Sequence, residues 1–311
     1  MSNESFLSQF EIRPDQRRPL AMLAVLVFLL IAVYWNTLRT ISTVWNTPAY
    51  SHGWLVPVFA VVLLWMRREP IQEPTPAARW SGVGLLGLGL GIRMIGGYYA
   101  YPYIEMASLL PCLFAVFMIV GGWSLLRWSG PALAFLIFMY PLPGAVERRL
   151  LDPLQRLATI CSTYALQTMG VASHRSGNHI HLGELRLGVV DACSGLRMST
   201  IFLALAVAIT LVTVRPWWER ITIVLSAIPI ALLVNVIRIT VTGLLYNYAT
   251  SELAEAVFHD LAGWIMMPMA MGFLFLELQL LTHLFIEEDD NAAPMPIGGG
   301  FSAGVSRVGQ R

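Results

Sequence analysis

The residues whose types and spacing bear on chemistry begin with the polar heptapeptide Asp191-Ala192-Cys193-Ser194-Gly195-Leu196-Arg197, set between a strand-like run and a long apolar one. A thiol at the first turn of a helix lies at the positive end of the macrodipole, which favours thiolate and so makes a better nucleophile. Ser194 and Gly195 supply backbone N–H groups that no intrahelical carbonyl satisfies, and such donors can hold a developing oxyanion. Two further polar sites interrupt apolar runs: Arg238, with Asn235 three residues earlier on the same helix face, and His259, followed by Asp260. Thiol-based acyl transfer needs a nucleophile, a group that takes and returns a proton near neutral pH, and a fixed cation that steadies the oxyanion. Cys193, His259 and Arg238 are of those three types. Each also has a structural alternative. Asp191 or Ser194 can cap a helix, Cys193 can be a small buried hydrophobe, and Arg197 can snorkel to an interface. Arg238 can pair with Asp191 or Asp260, and His259 can be an interfacial histidine.

The elements that must position these groups are membrane helices. The chain has 311 residues, 56% of them hydrophobic and 13% charged, too apolar for an ordinary soluble domain. A formal net charge of +1 gives no reason to expect nucleic acid as a partner. All 20 basic residues are Arg, which excludes a Ser–Lys dyad, a Schiff-base lysine and a P-loop lysine. Cys112, Cys161 and Cys193 form neither a spaced metal cluster nor a disulfide framework, and no cofactor or metal is expected. His179 and His181 share a strand face, which is ligand geometry in principle, but no third ligand lies near them in sequence and a solvated face is the better reading.

The hydropathy pattern divides the chain into a cytoplasmic segment (1–19), an integral membrane domain (20–286) and a disordered cytoplasmic tail (287–311). The expected fold class is an all-α membrane protein, a polytopic bundle of about eight transmembrane helices. Its spans are 20–38, 54–66, 80–99, 104–126, 130–146, 194–214, 221–248 and 257–286, with an inner turn at 127–130. Between the fifth and sixth spans, an extracytoplasmic insert (about 147–191) reads as an amphipathic helix and a β-hairpin turning at Gly177-Asn178, just before Cys193. The first span exceeds a signal-peptide core and is expected to stay uncleaved. The short loops at 66–80, 127–130 and 215–220 carry Arg and those at 98–103 and 249–257 carry none, which puts both termini inside. Gly82, Gly84, Gly87, Gly89 and Gly91 in the third span point to close helix packing, and Arg93 beside them is expected to snorkel to the interface. On this topology Cys193, Arg238 and His259 reach the outer membrane face on three separate helices. Arg238 lies eighteen residues beyond Arg220, or about 27 Å at 1.5 Å per residue.

Four motifs carry a resemblance to a known family. Tyr50-Ser51-His52-Gly53, Asp191 to Arg197, Asn235-Val236-Ile237-Arg238-Ile239 and His259-Asp260-Leu261-Ala262-Gly263 resemble, in order, those of the exosortase/archaeosortase family, and of bacterial exosortases in particular. The resemblance implies a multi-pass cysteine protease and sortase-like transpeptidase of the cell inner membrane, with its active site facing the periplasm or cell exterior. Its implied partners, besides the lipid bilayer, are exported proteins with a C-terminal Pro-Glu-Pro motif, a transmembrane helix and a basic end. It assigns catalysis to Cys193, Arg238 and His259, and supporting positions to Asn235, Ser194, Gly195, Asp191, Arg197 and His52. Asp191 departs from the Glu common at that place in the family. The competing reading is a transporter or channel binding an anion on Arg93 and Arg238; against it, the polar residues gather at one face rather than at the bilayer midplane.

Overall fold

The computed structural model describes residues 13–47, 50–183, 185–188, 194–213, 215–248 and 262–284. It is mostly helical. Asp191, Cys193 and His259, the segment 1–12 and the tail 287–311 lie outside the described residues.

Helices α1 (Pro14–Val33) and α2 (Trp35–Trp45) meet at Tyr34, so the first apolar run bends there rather than ending at Leu38. A 3-10 turn, Ser51–Trp54, leads into α3 (Leu55–Met66). Helix α4 (Pro76–Tyr98) starts where Thr75 caps it, its hydroxyl accepting from the Ala78 N–H, and Pro76 supplies a preset first helical residue. A short α5 (Pro102–Ala107) precedes α6 (Leu109–Phe135), which continues as a 3-10 turn to Met139.

Helix α6 is two limbs. Gly122 has φ 63° and ψ −153°, a conformation essentially confined to glycine. Phe114 and Gly130, each eight residues from Gly122, come together: a Cβ on Gly130 would lie 3.9 Å from the Phe114 ring. Sixteen residues of straight helix would hold them about 24 Å apart, so the chain doubles back at Gly122. The expected inner turn at 127–130 is therefore displaced to Gly122, because glycine alone allows the reversal and Arg127 continues the second limb.

Among the described residues three stretches are long and apolar enough to cross a bilayer, Pro14–Val33, Pro102–Met139 and Trp217–Tyr248, with shorter apolar helices at Ser51–Met66 and Ser199–Val212. Large apolar side chains such as Phe28, Leu55, Val61 and Leu225 project outward with more than half their surface uncovered. A surface of that kind belongs in lipid.

The closest packing joins α4 to α6. Gly82 and Gly89 lie directly on the α6 backbone, whereas Gly84, Gly87 and Gly91 face open space. Beside this contact the Arg93 Nε lies 3.5 Å from Glu105 Oε1, its guanidinium sits 4.4 Å from the Tyr34 ring centroid, and the Thr37 hydroxyl donates to the same carboxylate at 2.6 Å. Arg93 is thus an ion-pair partner rather than a free snorkelling side chain. Its spacing from Glu105, on the next helix, is what concealed the pair in the sequence.

The second half of the chain begins with α7 (Gly144–Thr168), followed by strands β1 (His174–Ser176), β2 (His179–Leu182) and β3 (Leu185–Gly188) in one antiparallel sheet of order β1-β2-β3. Three long helices follow: α8 (Ser194–Val212), α9 (Trp217–Tyr248) and α10 (Ala262–Leu284). Contacts define two ends of the molecule. At one, Trp45 Nε1 donates to the Met139 carbonyl at 2.8 Å and His52 Nε2 lies 3.2 Å from the Phe138 carbonyl. At the other, Arg67 donates to the Leu211 carbonyl, and Arg215 bonds Glu219 and Thr282.

Candidate active site

Helix α9 positions the polar residues because two stripes on it face different neighbours. Leu232, Val236, Ile239 and Gly243 meet α7: Ser162 donates to the Val236 carbonyl at 3.4 Å, and a Cβ on Gly243 would press on Leu166 at 2.9 Å. Together with Ile180 and Leu187 of the sheet, these residues form a core that covers the last four turns of α9.

The other stripe is Ile223, Ala227, Ala231 and Val234, at steps of four, four and three. It receives α8 and α10. Ala206 and Leu281 pack with Ile223 and Ala227, and Phe202 and Ala270 pack with Ala231 and Val234. Arg238, four residues beyond Val234, is the next position on this same stripe. Both partner helices run antiparallel to α9, and each begins eight residues before its contact with Ala231 and Val234: α8 at Ser194, α10 at Ala262. Eight residues of helix rise about 12 Å, which carries both starting points to the level of 239–242 on α9, about one turn from Arg238.

The apolar packing thus gives way to a polar layer where α8 and α10 begin. Asn235 is completely buried and Arg238 nearly so, and both side chains are engaged by partners. Thr240 and Thr242 are buried close by on α9. Ser199 of α8, three residues before Phe202, falls at the same level. The Ser199 and Thr240 hydroxyls are buried with no hydrogen-bond partner among the described residues. Unsatisfied hydroxyls at one depth are costly unless the layer serves a ligand or water. Ser199 and Thr240 escaped the sequence reading because a lone hydroxyl in an apolar helix usually bonds its own backbone. Only the level they share with Arg238 distinguishes them.

Of the supporting positions, Ser194, Gly195 and Arg197 belong to the first turn of α8, and Asn235 is on α9. His52 is held elsewhere, against the 3-10 turn after α6, so the structure ties it to the Phe138 carbonyl and the Tyr50 ring rather than to α9. Cys161 is a free, exposed thiol on α7, and Cys112 is buried 3.5 Å from the Tyr34 hydroxyl.

The sheet carries three histidines. His174 and His181 are cross-strand partners whose rings stack with centroids 4.6 Å apart. Partial burial, and then the charges of His174, Arg186 and His179, hold the His181 imidazole below its ordinary value. No group of three or more His, Cys, Asp or Glu side chains placed to hold a metal occurs among the described residues.

A family model decides the affiliation: that of the transmembrane exosortases matches residues 44–276, about three quarters of the chain. The chain belongs to the transmembrane exosortase family. No curated protein and no solved structure matches it. Membership makes this exosortase a membrane-embedded sorting enzyme of a cysteine-protease-like transpeptidase family that processes exported proteins. The match takes in the α8–α10 unit up to Leu276 and all four motifs quoted above.

Proposed function

We propose that this exosortase cleaves the C-terminal Pro-Glu-Pro-type sorting signal of exported proteins at the outer face of the inner membrane, with Cys193 as nucleophile, Arg238 as fixed cation and His259 as acid and base. The observation that carries the reading is the end of the α9 stripe. Arg238 follows Val234 on the face that receives α8 and α10, at the level where those helices begin. In sequence Cys193 directly precedes α8, and His259 lies three residues before α10.

In the proposed reaction the Cys193 thiolate attacks the scissile carbonyl carbon, and the negative charge moves to the carbonyl oxygen. The Arg238 guanidinium and the free N–H groups at the start of α8 stabilise that oxyanion. As the tetrahedral species collapses, the C–N bond breaks and His259 gives its proton to the departing amine, leaving a thioester on Cys193. Water or an acceptor amine then attacks the thioester and gives a proton to His259, and the C–S bond breaks to release the Cys193 thiolate. A nearly buried Arg238 suits this role, since a cation in a site shielded from water acts on the oxyanion with little dielectric screening. The arrangement belongs to a proposed eight-span topology with both termini cytoplasmic and α7 and the sheet outside. The anion-transporter alternative loses one of its two arginines, because Arg93 already has Glu105 as its counter-ion.

The test is co-expression with a client bearing a Pro-Glu-Pro tail, followed by the size shift of the client on a gel. Wild type shortens the client, Cys193→Ala does not, and Cys112→Ala and Cys161→Ala behave as wild type. Processing by Cys193→Ala, or a reporter fused at residue 180 that reads cytoplasmic, overturns the proposal. Anion uptake without any client processing transfers the assignment to the transporter.

A further inference from the structure

Beside the proposed catalytic layer lies a groove that the reaction above does not use. It is an open cavity of about 1010 Å³ between α7 and the turn joining β1 to β2. Arg148 and Arg156 rise from α7, two turns apart, and Arg175 faces them from β1. All three are exposed, and none has a carboxylate within 4 Å among the described residues, although Glu147 and Asp152 share the lining. Asp152 stands four residues from each α7 arginine, the usual spacing for a helical ion pair, yet it lies within 4 Å of neither guanidinium. The groove therefore presents three guanidinium groups without a carboxylate counter-ion among the described residues, Arg175 donating through one nitrogen to the Gly177 carbonyl at 3.4 Å. A second, independent observation marks the same wall: His179 Nδ1 is buried with no hydrogen-bond partner among the described residues.

We infer that this groove is the binding site for an acidic, extended peptide segment, and that it holds the carboxylate of the client's sorting signal while the adjacent chain reaches the Arg238 layer. The inference rests on the reading under Proposed function for the identity of the client, but the groove's own chemistry is independent of it. Arginine suits the ligand because its planar fork matches a carboxylate with two parallel hydrogen bonds. The unpaired His179 Nδ1 and the Asn178 amide, one of whose N–H groups donates to Gln155 Oε1 at 3.4 Å, supply further polar groups of the kind a peptide main chain requires. A phospholipid headgroup fits less well. The two carboxylates in the lining oppose a phosphate-dense surface, and Leu151 and Ile160 alone give no bed for an acyl chain.

Position connects the groove to the reaction. The helix that lines it also packs on α9: Leu151, Leu154 and Leu232 pack against one shared core, and Ser162, just beyond the groove, donates to the Val236 carbonyl. The groove arginines of α7 precede Ser162 by six to fourteen residues, about 9–21 Å of helix rise, and Arg238 is on the α9 stripe that faces α8 and α10 rather than α7, so groove and Arg238 lie about 15–25 Å apart. An extended peptide advances about 3.3 Å per residue, so one that engages both places its carboxylate about five to eight residues from the bond that is cut.

The test uses the full chain in detergent and a fluorescein-labelled decapeptide of Gly and Ser with a central Pro-Glu-Pro, read by fluorescence anisotropy. The wild type binds it. The Pro-Gln-Pro version, and the Arg148→Gln/Arg156→Gln/Arg175→Gln variant with the original peptide, each bind at least tenfold more weakly. With purified enzyme and varied client concentration the triple variant shows a KM raised about tenfold or more and kcat little changed, whereas Arg156→Glu recovers on a client carrying Pro-Lys-Pro. Equal binding of both peptides, equal binding by wild type and triple variant, or displacement only by anionic phosphatidylglycerol vesicles overturns the inference. Unfolding midpoints of the variants, whose substitutions are all at exposed positions, identify any effect of folding. If wild type processes clients and the triple variant matches it, the groove assignment alone fails. If wild type processes no client yet binds the acidic peptide through these arginines, the groove stands and the proposed cleavage falls.

Discussion

Replacing Gly89 and Gly87 of α4 by alanine, one at a time, tests the packing that holds the first half of the molecule. Both changes remove the same backbone freedom from one helix, so both gain up to about 1 kcal/mol of helix propensity. Their surroundings differ. Nothing lies within 4 Å of a Cβ at Gly87, but at Gly89 it meets Cys112 Sγ at 2.5 Å, the Cys112 backbone nitrogen at 3.2 Å and the Ser108 carbonyl at 3.4 Å. The sulfur can rotate away, at the expense of its contact with the Tyr34 hydroxyl, but the two backbone atoms move only if α4 and α6 separate. Overpacking of that kind costs about 1–3 kcal/mol. The two variants should therefore differ by about that amount, or about 2–6 °C in unfolding midpoint for a large domain. Tryptophan fluorescence in detergent, with 10 tryptophans as reporters, gives the midpoints. If Gly87→Ala lowers the midpoint as much as Gly89→Ala, the α4–α6 contact does not stand where it is described.

Two other perturbations follow from the polar contacts. Arg93→Gln leaves Glu105 with only the Thr37 hydroxyl and should lower stability by about 1 kcal/mol, a modest loss because the pair is a quarter exposed. Adding Glu105→Gln should recover part of that loss, and strictly additive midpoints would refute the ion pair. The lowered His181 value makes the sheet sensitive to acid. Its neutral imidazole is favoured by folding, so the contribution is complete above the ordinary value of 6.5 and is lost as pH falls through it toward the folded value. Protection factors of the β1 and β2 amides, corrected for the intrinsic slowing of exchange in acid, should fall below about pH 6.5, and His174→Asn should flatten that dependence; pH-independent protection would contradict the stacked pair.

How far the sequence could be read depended on whether the deciding signal was local. Apolar runs, capping residues and the two-residue turn at Gly177-Asn178 are local, and the helices from Leu55, Pro76 and Ser194 onward begin within a few residues of where hydropathy put them. The reversal at Gly122 was hidden because apolar residues continue through it and only a backbone angle marks the break. Arg93 was misread since its counter-ion lies across a turn on α5. Among five glycines in α4, periodicity alone does not tell Gly89, which needs its missing side chain, from Gly87, which does not. Asn235 and Arg238 were legible as polar groups in an apolar helix. Ser199 and Thr240 became visible only through the register of α8 on α9.

The central claim, that Cys193 attacks the client at the layer marked by Arg238, is tested most directly by the covalent intermediate. Purified enzyme mixed with a Pro-Glu-Pro client and quenched in acid should yield, by peptide mass spectrometry, a thioester between the client's new C-terminal residue and the peptide containing Cys193. Arg238→Lys retains the charge but not the planar fork, and its adduct should form on the order of a hundredfold more slowly. An adduct on Cys161, or client cleavage with Cys193 unmodified at every time point and an undiminished rate in Arg238→Lys, would contradict the account.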